Sequence, residues 1–183
     1  MEKKSGFQVA VCAVFAALTA VLSQLAIPIG PVPINLATFS VFLAGGILGA
    51  SGGLLSQLVY LILGAVGLPV FAGFRGGVGA LAGPTGGYLA GYAAAAWLVG
   101  QAVEKFGRKP RVLAGSMAAG LAVCYFLGTG WFMIVTGRGL WDSLALCVFP
   151  FLLGDALKIA VATALAARLG VVYDRLDRKA RAA

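Results

Sequence analysis

A long stretch with almost no charge is the feature that most constrains how this chain folds. Between Lys4 and Glu104 the only charged residue is Arg75. A helix that crosses a bilayer needs about 20 predominantly apolar residues, so this interval has room for several spans. Hydrophobic residues make up 61% of the chain and charged residues only 11%, which is unlike a soluble domain. These features predict an integral membrane protein.

The apolar runs predict an all-α fold with six transmembrane helices. Their approximate bounds are 7–27, 34–50, 52–66, 86–103, 112–135 and 144–168. Because the connecting segments are short, residues 1–183 are expected to form a single membrane domain with no soluble domain. The second and third runs meet in a glycine-rich segment, 45–53, where a tight inner turn is expected because glycine permits a sharp reversal. A phosphate-binding loop is not expected there, since the chain contains no Gly-Lys pair.

The basic residues predict the orientation in the membrane. Eleven precede the first span, separate the fourth from the fifth, or follow the sixth: Lys3, Lys4, Lys105, Arg108, Lys109, Arg111, Arg168, Arg175, Arg178, Lys179 and Arg181. Arg75 and Arg138 lie on the opposite side. The positive-inside rule therefore places both termini in the cytoplasm. Since these charges follow the ends of apolar runs and form no continuous face, the expected partner is a lipid bilayer and not a nucleic acid.

Residues 67–92 contain 9 of the chain's 27 glycines and are expected on the outer side. Irregular backbone at a membrane is tolerated only where it is buried in protein or lines a wet cavity. The stretch therefore predicts a binding cavity at the outer face. The preceding outer loop, 27–35, contains three prolines and no charge. Such an apolar loop fits either a lid over a ligand or burial at the membrane interface.

Asp155 and Lys158 are expected within the sixth span, where each charge costs about 2.5–3.5 kcal/mol at a helix centre. Residues three apart share a helix face, so the two side chains can project together into the bundle. One interpretation is an ion pair that only fixes helix packing. The other is a ligand site, whose acceptors and donors suit a cyclic urea or amide. A proton relay ranks lower, because the chain has no histidine and no second carboxylate within a span.

Further candidate residues for ligand binding are expected near the outer face. Arg75 suits a ligand carboxylate, although a lone arginine also suits lipid headgroups or solvent. Tyr88 begins a helix where it is either an interfacial anchor or a ligand contact. The full set of candidates is Asn35, Gly73, Phe74, Arg75, Thr85, Tyr88, Asp155 and Lys158.

No metal site, bound cofactor or catalytic activity is expected. The chain has no histidine, and its three cysteines lie singly in different spans. Imidazole and paired thiolates are the usual protein ligands of zinc and haem iron. The three cysteines, Cys12, Cys124 and Cys147, are interpreted as small packing residues.

Two pairs of alanines on the first span share a spacing of four residues, Ala13 with Ala17 and Ala16 with Ala20. Small residues at this spacing let helix backbones approach closely in a bilayer. The partner helix belongs either to this bundle or to another membrane subunit.

Over essentially its whole length the chain resembles the BioY family, the biotin-binding substrate-capture (S) components of energy-coupling factor transporters. The resemblance is most specific in GLPVFAG, residues 67–73, and GPTGGY, residues 83–88, and it includes the Asp155-x-x-Lys158 pair. It implies a six-helix S-component bundle in a prokaryotic cytoplasmic membrane. It also implies an outward-facing biotin cavity roofed by outer loops.

The resemblance further implies energising partners: a membrane-embedded coupling (T) subunit and two cytoplasmic ATPases. Ala13 and Ala17 resemble the family's docking motif on the first helix. Two alternatives to this function stay open. One is capture of a different vitamin, and the other is a self-sufficient secondary carrier of biotin.

Overall fold

The computed structural model describes residues 6–28 and 31–182, and it is helical over most of that length. Lys3 and Lys4, which contribute to the predicted orientation, lie outside the described residues. The helices are α1 (Gly6–Gln24), α2 (Ala37–Ala65), α3 (Val78–Ala82), α4 (Gly86–Phe106), α5 (Pro110–Thr136), α6 (Leu140–Cys147) and α7 (Leu152–Ala182). One short antiparallel hairpin, β1 (Ala26–Ile27) with β2 (Ile34–Asn35), is an addition to the predicted all-α fold.

Helix α2 contains a sharp reversal at Gly49, which divides it into a first arm, 37–48, and a second arm, 50–65. Gly49 has φ +76°, a conformation that side-chain-bearing residues rarely adopt. A Cβ placed on Gly53 would lie only 2.9 Å from the Gly45 Cα. Eight residues of straight helix would separate these positions by about 12 Å. The tight inner turn expected from the glycines is therefore present.

Two charged side chains stabilise this reversal by satisfying free backbone groups. Glu104 Oε1 accepts a hydrogen bond from the Ala50 N–H at 2.8 Å, at the start of the second arm. Arg108 donates to the Gly46 and Ile47 carbonyls at 2.9 and 2.8 Å, at the end of the first arm. Each charge has the sign that the adjacent helix end favours. Arg108 is thus a structural residue as well as a contributor to the predicted orientation.

The same end of the bundle joins the two chain ends to the α4–α5 connection. Arg108 forms an ion pair with Asp174 near the end of α7. Gln8, in the first turn of α1, donates to the Asp177 carboxylate at 3.2 Å. The described ends of the chain therefore lie on the side that the positive-inside rule assigns to the cytoplasm.

The predicted sixth span, 144–168, is not one helix. It consists of α6, a turn of 3₁₀ helix over Phe149–Phe151, and α7, which continues to Ala182. Proline has no N–H to donate and its ring clashes with the preceding turn, so Pro150 interrupts the helix. The basic segment after Arg168, expected as a tail, continues the same helix. The interruption places Asp155 near the start of α7.

The membrane assignment is supported by length, composition and exposure. Among the described residues, four segments are long and apolar enough to cross a bilayer: Gly6–Gln24, Ala37–Ala65, Pro110–Thr136 and Leu140–Arg181. Counting the arms of α2 separately and adding α4, the bundle has the six predicted spans. Large apolar side chains point outward from it; Phe126 on α5 is 79% exposed and Leu153 on α7 is 85% exposed.

Glycines bring the backbones of α2 and α4 into direct contact in the core. A Cβ on Gly45 would lie 2.4 Å from the Ala96 carbonyl oxygen, and one on Gly100 would lie 2.2 Å from the Ala50 nitrogen. Both distances are far shorter than van der Waals contact. Since helix association in a bilayer depends on packing, such small-residue contacts are an expected means of holding the bundle together.

Candidate binding site

A cavity of about 650 Å³ lies between the helices, toward the end of the bundle that the positive-inside rule assigns to the outer side. Its walls come from α2, α4, α5 and α7, and its roof comes from the segment between α2 and α4 together with the proline-rich loop. This volume is in the range of pockets that enclose small molecules. The irregular backbone of residues 66–85 therefore lines a cavity, as the glycine content predicts.

The first arm of α2 is short, and this brings the loop before it down to the cavity. Residues 37–48 span only about 18 Å, well short of the thickness of about 30 Å of the hydrocarbon core. Asn35 therefore lies beside α7, where its carbonyl accepts a hydrogen bond from Lys158 Nζ at 2.6 Å. Its side chain accepts the Ala37 N–H at 3.0 Å and satisfies the start of α2.

Asp155 and Lys158 form a paired, almost fully buried polar floor. Their side chains share a helix face as predicted, with Lys158 Nζ 2.7 Å from Asp155 Oδ1. Asp155 is 2% and Lys158 8% exposed. Two further residues complete the cluster: the Tyr125 hydroxyl donates to Asp155 Oδ2 at 2.5 Å, and Thr38 Oγ1 lies 3.3 Å from both Asp155 Oδ1 and Lys158 Nζ.

Asp155 lies in the first turn of α7, not in the middle of a helix as the sequence indicated. The break at 148–151 starts a new helix at Leu152. The N-terminus of a helix carries unpaired N–H groups and a partial positive charge, both of which stabilise a carboxylate. Together with Lys158, this location explains how a carboxylate is accommodated at membrane depth.

Aromatic side chains form the walls above this floor. Tyr60, Tyr88 and Tyr92 line the cavity with rings that are almost fully buried. The Tyr88 hydroxyl lies 2.9 Å from Thr129 Oγ1 and donates to the Cys147 carbonyl at 3.3 Å, so the protein already satisfies it. Tyr88 therefore presents its ring to the cavity. Thr85, just before α4, lines the cavity as well and makes no capping hydrogen bond with its side chain.

The roof is a tight turn whose residues face different ways. Phe71 and Arg75 exchange backbone hydrogen bonds at 2.9 and 3.1 Å, which closes the turn. Gly73 and Arg75 line the cavity beneath it. Phe74 does not: its ring is 72% exposed and its φ is +56°. The sequence placed Phe74 among the candidate ligand contacts, but the turn directs its side chain away from the cavity.

The proline-rich loop contributes the other part of the roof. Pro28, Pro31, Val32 and Pro33 line the cavity, and Val32 is 6% exposed. Ile29 and Gly30 lie outside the described residues. Because these apolar side chains lie over the cavity, the absence of polar turn residues in this outer loop has a structural reason. This arrangement corresponds to the lid interpretation.

The charges around the cavity favour an anionic ligand. The charged residues that line it in the described part of the chain are Arg75, Asp155 and Lys158, two cations and one carboxylate, for a net charge of +1. Since Asp155 and Lys158 neutralise each other, Arg75 is the cation left for a ligand. The described residues contain no group of three His, Cys, Asp or Glu side chains placed to hold a metal ion.

Comparison with known proteins identifies the family. The family model described as "BioY family" matches residues 1–175. The chain belongs to the BioY family. Among its relatives is the probable biotin transporter BioY of Pyrococcus horikoshii, which is 44% identical over 88% of this chain and 95% of that protein. The biotin transporter BioY of Thermotoga maritima is 40% identical over 85% of this chain and 91% of that protein.

A solved structure has the same fold. It is the crystal structure of the S-component for biotin from an ECF-type ABC transporter, and it matches with a TM-score of 0.84 and 29% sequence identity. The match covers 89% of this chain and 90% of that one. The BioY chain described here is therefore a multi-pass membrane protein with the S-component fold predicted from its sequence. The names of these relatives describe transporters.

The two alanine pairs on α1 differ in this BioY chain. Ala16 is 1% exposed and packs in the core, and Ala20 packs against the same cluster. Ala13 and Ala17 are exposed. The described structure thus uses one pair for its own packing and leaves the other pair on the surface of the bundle.

Three contacts of the site residues had no signal in the sequence. Tyr125 and Thr38 lie 30 and 117 positions from Asp155, in the apolar helix α5 and in the first turn of α2. Gln24 is also part of the cavity lining, from the last residue of α1. The sequence pattern of one helix does not predict which residues of another helix it contacts. These partners are therefore seen only in the packed structure.

Proposed function

We propose that this chain captures biotin from the outer side of a prokaryotic cytoplasmic membrane as the S component of an energy-coupling factor transporter. The observation that carries the proposal is the buried Asp155–Lys158 pair at the floor of the cavity, in a chain of the BioY family. Intramembrane charges that face a cavity are binding groups by default.

The floor has the donors and acceptors that the ureido ring of biotin requires. Asp155 accepts a ring N–H with Oδ2, which has a lone pair beyond the one used by Tyr125, whereas Oδ1 already accepts Lys158 and Thr38. Lys158 donates to the ureido carbonyl in exchange for its 3.3 Å hydrogen bond to Thr38, because its three N–H groups already contact Asn35, Thr38 and Asp155. The buried rings of Tyr60, Tyr88 and Tyr92 pack on the apolar bicycle.

The roof supplies the partner for the other end of the molecule. With Asp155 and Lys158 neutralising each other, the guanidinium of Arg75 pairs with the carboxylate of the valerate arm. Burial between floor and roof then engages both ends of the ligand at once. If biotin bound in the opposite orientation, with its carboxylate at Lys158, the Arg75 guanidinium would have no anion from the ligand to pair with.

Equilibrium binding to the purified chain in detergent tests the proposal. We expect biotin to bind tightly, and biotinamide, thiamine and riboflavin to bind far more weakly. Preferential binding of another vitamin would replace biotin as the ligand but keep the class of transporter. Liposomes that contain this chain alone test the alternative of a self-sufficient carrier, because uptake of biotin driven by a proton or sodium gradient would favour it.

We further propose that Ala13 and Ala17 form a docking face for a membrane coupling subunit that works with two ATPases. Both are exposed on one side of α1, whereas Ala16 is buried, so the chain's own packing leaves this face open. Small side chains permit a partner helix to approach closely. The proposed orientation places this helix with its first turn at the cytoplasmic side.

Substituting the face with bulky residues is expected to separate docking from binding. Ala13→Trp with Ala17→Trp should abolish co-purification with the coupling subunit and leave biotin affinity within twofold, on the order of 0.4 kcal/mol. Ala119→Trp, at an exposed alanine of α5, is the matched control and should retain both properties. Retained co-purification of the α1 double variant would contradict the assignment of the docking face.

A further inference from the structure

The end of α1 holds the roof of the cavity, and we propose that Gln24 is the latch that positions Arg75 and sets how long biotin stays bound. The inference rests on the proposed function of the cavity. Gln24 is the last residue of α1 and belongs to the cavity lining. It therefore links a transmembrane helix directly to the segment above the ligand.

Both polar atoms of the Gln24 amide are used by the roof. Nε2 donates to the Val70 carbonyl at 3.0 Å and to the Phe71 carbonyl at 3.1 Å. Oε1 accepts the backbone N–H of Phe74 at 2.9 Å. A single side chain thus forms hydrogen bonds to both sides of the turn that ends at Arg75. Ser23 adds one bond, to the Val70 carbonyl at 2.6 Å, and the Phe71 carbonyl also accepts the Arg75 N–H, so the Phe74 N–H is the group that depends on Gln24 alone.

The turn needs such support because its backbone is unfavourable. Gly73 and Phe74 both have positive φ, +73° and +56°. Glycine adopts this region without strain, but an aromatic residue does so rarely. The N–H of Phe74 is the group that Gln24 Oε1 holds. The ring of Phe74 is exposed, so this conformation is held by the Gln24 hydrogen bond together with the two backbone bonds between Phe71 and Arg75.

A second anchor fixes the turn to a different helix. The ring of Phe71 is 3% exposed and packs edge-on against Tyr60, with ring centroids 5.4 Å apart. Gly64 makes room for it, since a Cβ there would lie 2.0 Å from the ring. The roof is therefore held by an apolar contact to α2 and by a polar latch to α1. Loss of the latch frees the Phe74 corner of the turn, next to Arg75, while Phe71 and the Gly77 N–H, which donates to the Gly64 carbonyl at 2.7 Å, keep the segment attached.

Because the roof has two separate anchors, loss of the latch is expected to raise the dissociation rate of biotin and to have little effect on folding. Opening a small segment over a cavity is a local process, separate from global unfolding. Gln24→Leu keeps the volume of the side chain but removes the donors and the acceptor. Biotin is expected to dissociate from this variant about tenfold faster or more, because the hydrogen bonds of Gln24 to the roof, including the one that holds the Phe74 N–H, are lost. The melting temperature of the ligand-free protein should stay near that of the parent.

A comparison of ligands distinguishes a latch that acts through Arg75 from a direct contact to the ligand. Biotinamide lacks the carboxylate, so the preference for biotin over biotinamide measures what Arg75 contributes. This preference should fall in Gln24→Leu and in Arg75→Gln, and it should fall no further in the double variant. Additive losses would overturn positioning through Arg75, because they indicate that Gln24 and Arg75 act independently.

Stopped-flow dissociation of labelled biotin from the full chain completes the test. Gln101→Leu, at an exposed position of α4, is the matched control and should dissociate like the parent. Unchanged dissociation from Gln24→Leu, with faster dissociation from Arg75→Gln, would reject the latch and leave the proposed function intact. Absence of biotin binding by the parent would instead reject the proposed function. If Gln24→Leu does not fold, Gln24→Asn, whose amide is too short to reach the roof, takes its place with the same expected outcomes.

Discussion

Asp155→Asn is expected to weaken biotin binding at least tenfold, about 1.4 kcal/mol, while the protein still inserts and folds. The change removes the charge that accepts ligand N–H groups but keeps a side chain of the same shape beside Tyr125. It also leaves the ammonium of Lys158, 8% exposed, without its counterion. Some loss of stability is therefore expected too, because an unpaired buried charge is costly.

A double variant separates the two interpretations of the pair. Asp155→Asn with Lys158→Met removes both charges and so recovers stability lost in the single variant. If the pair is a ligand site, binding stays weak. If it is only a packing ion bridge, binding returns with stability. Calorimetry and thermal unfolding in the same detergent measure the two quantities.

The control for this prediction is the same substitution at another carboxylate. Asp142 is exposed in the first turn of α6 and lies outside the cavity lining. Asp142→Asn should leave biotin affinity unchanged. Parent-like affinity of the Asp155→Asn variant would contradict the assignment of Asp155 to the ligand.

The second large effect is expected from a single methyl group, since Gly100→Ala should prevent or severely reduce folding. The added Cβ would lie 2.2 Å from the Ala50 nitrogen and 2.3 Å from the Gly49 carbonyl carbon. Both are backbone atoms of the reversal in α2, which Glu104 and Arg108 also hold in place. They cannot move aside without separating α2 from α4. We expect a loss of at least about 3 kcal/mol, at the upper end for overpacked cores.

Gly115 supplies the matched control, because it is also a glycine within a helix. A Cβ on Gly115, in α5, would meet nothing within 4 Å. Gly115→Ala should leave stability unchanged or raise it by up to about 1 kcal/mol through helix propensity. The yield of monodisperse protein and its melting temperature measure both variants. Equal behaviour of the two would show that α2 and α4 do not pack as described.

The local part of the site was predictable, and the reason is geometric. The spacing of Asp155 and Lys158 places them on one helix face whatever surrounds them, and the structure pairs them at 2.7 Å. Glycines around Gly49 likewise predict a reversal. The prediction that Asp155 lies in the middle of a helix is wrong. Pro150 interrupts the sixth span, and the carboxylate therefore lies in the first turn of α7.

The non-local part of the site required the tertiary structure. Gln24 contacts roof residues that lie about 50 positions away in the sequence. Its amide is hydrogen-bonded to backbone groups, and since every residue has these, no residue type in the roof indicates the contact. Glu104 and Arg108 were interpreted through their charge alone, yet their side chains stabilise the ends of the two arms of α2. Phe74 was expected among the ligand contacts because it is aromatic, and only the positive φ of the turn directs it outward.

The sequence by itself determined that this chain is a six-span membrane protein with a buried charge pair and an outer glycine-rich cavity. These properties follow from hydropathy and helix periodicity, which act over one or a few turns. The tertiary structure alone decided that Tyr125 and Thr38 complete the floor, that Gln24 holds the roof and that Ala13 and Ala17 stay exposed. Each depends on which helix faces which, and that is set by glycine contacts between α2 and α4 and by the reversal at Gly49.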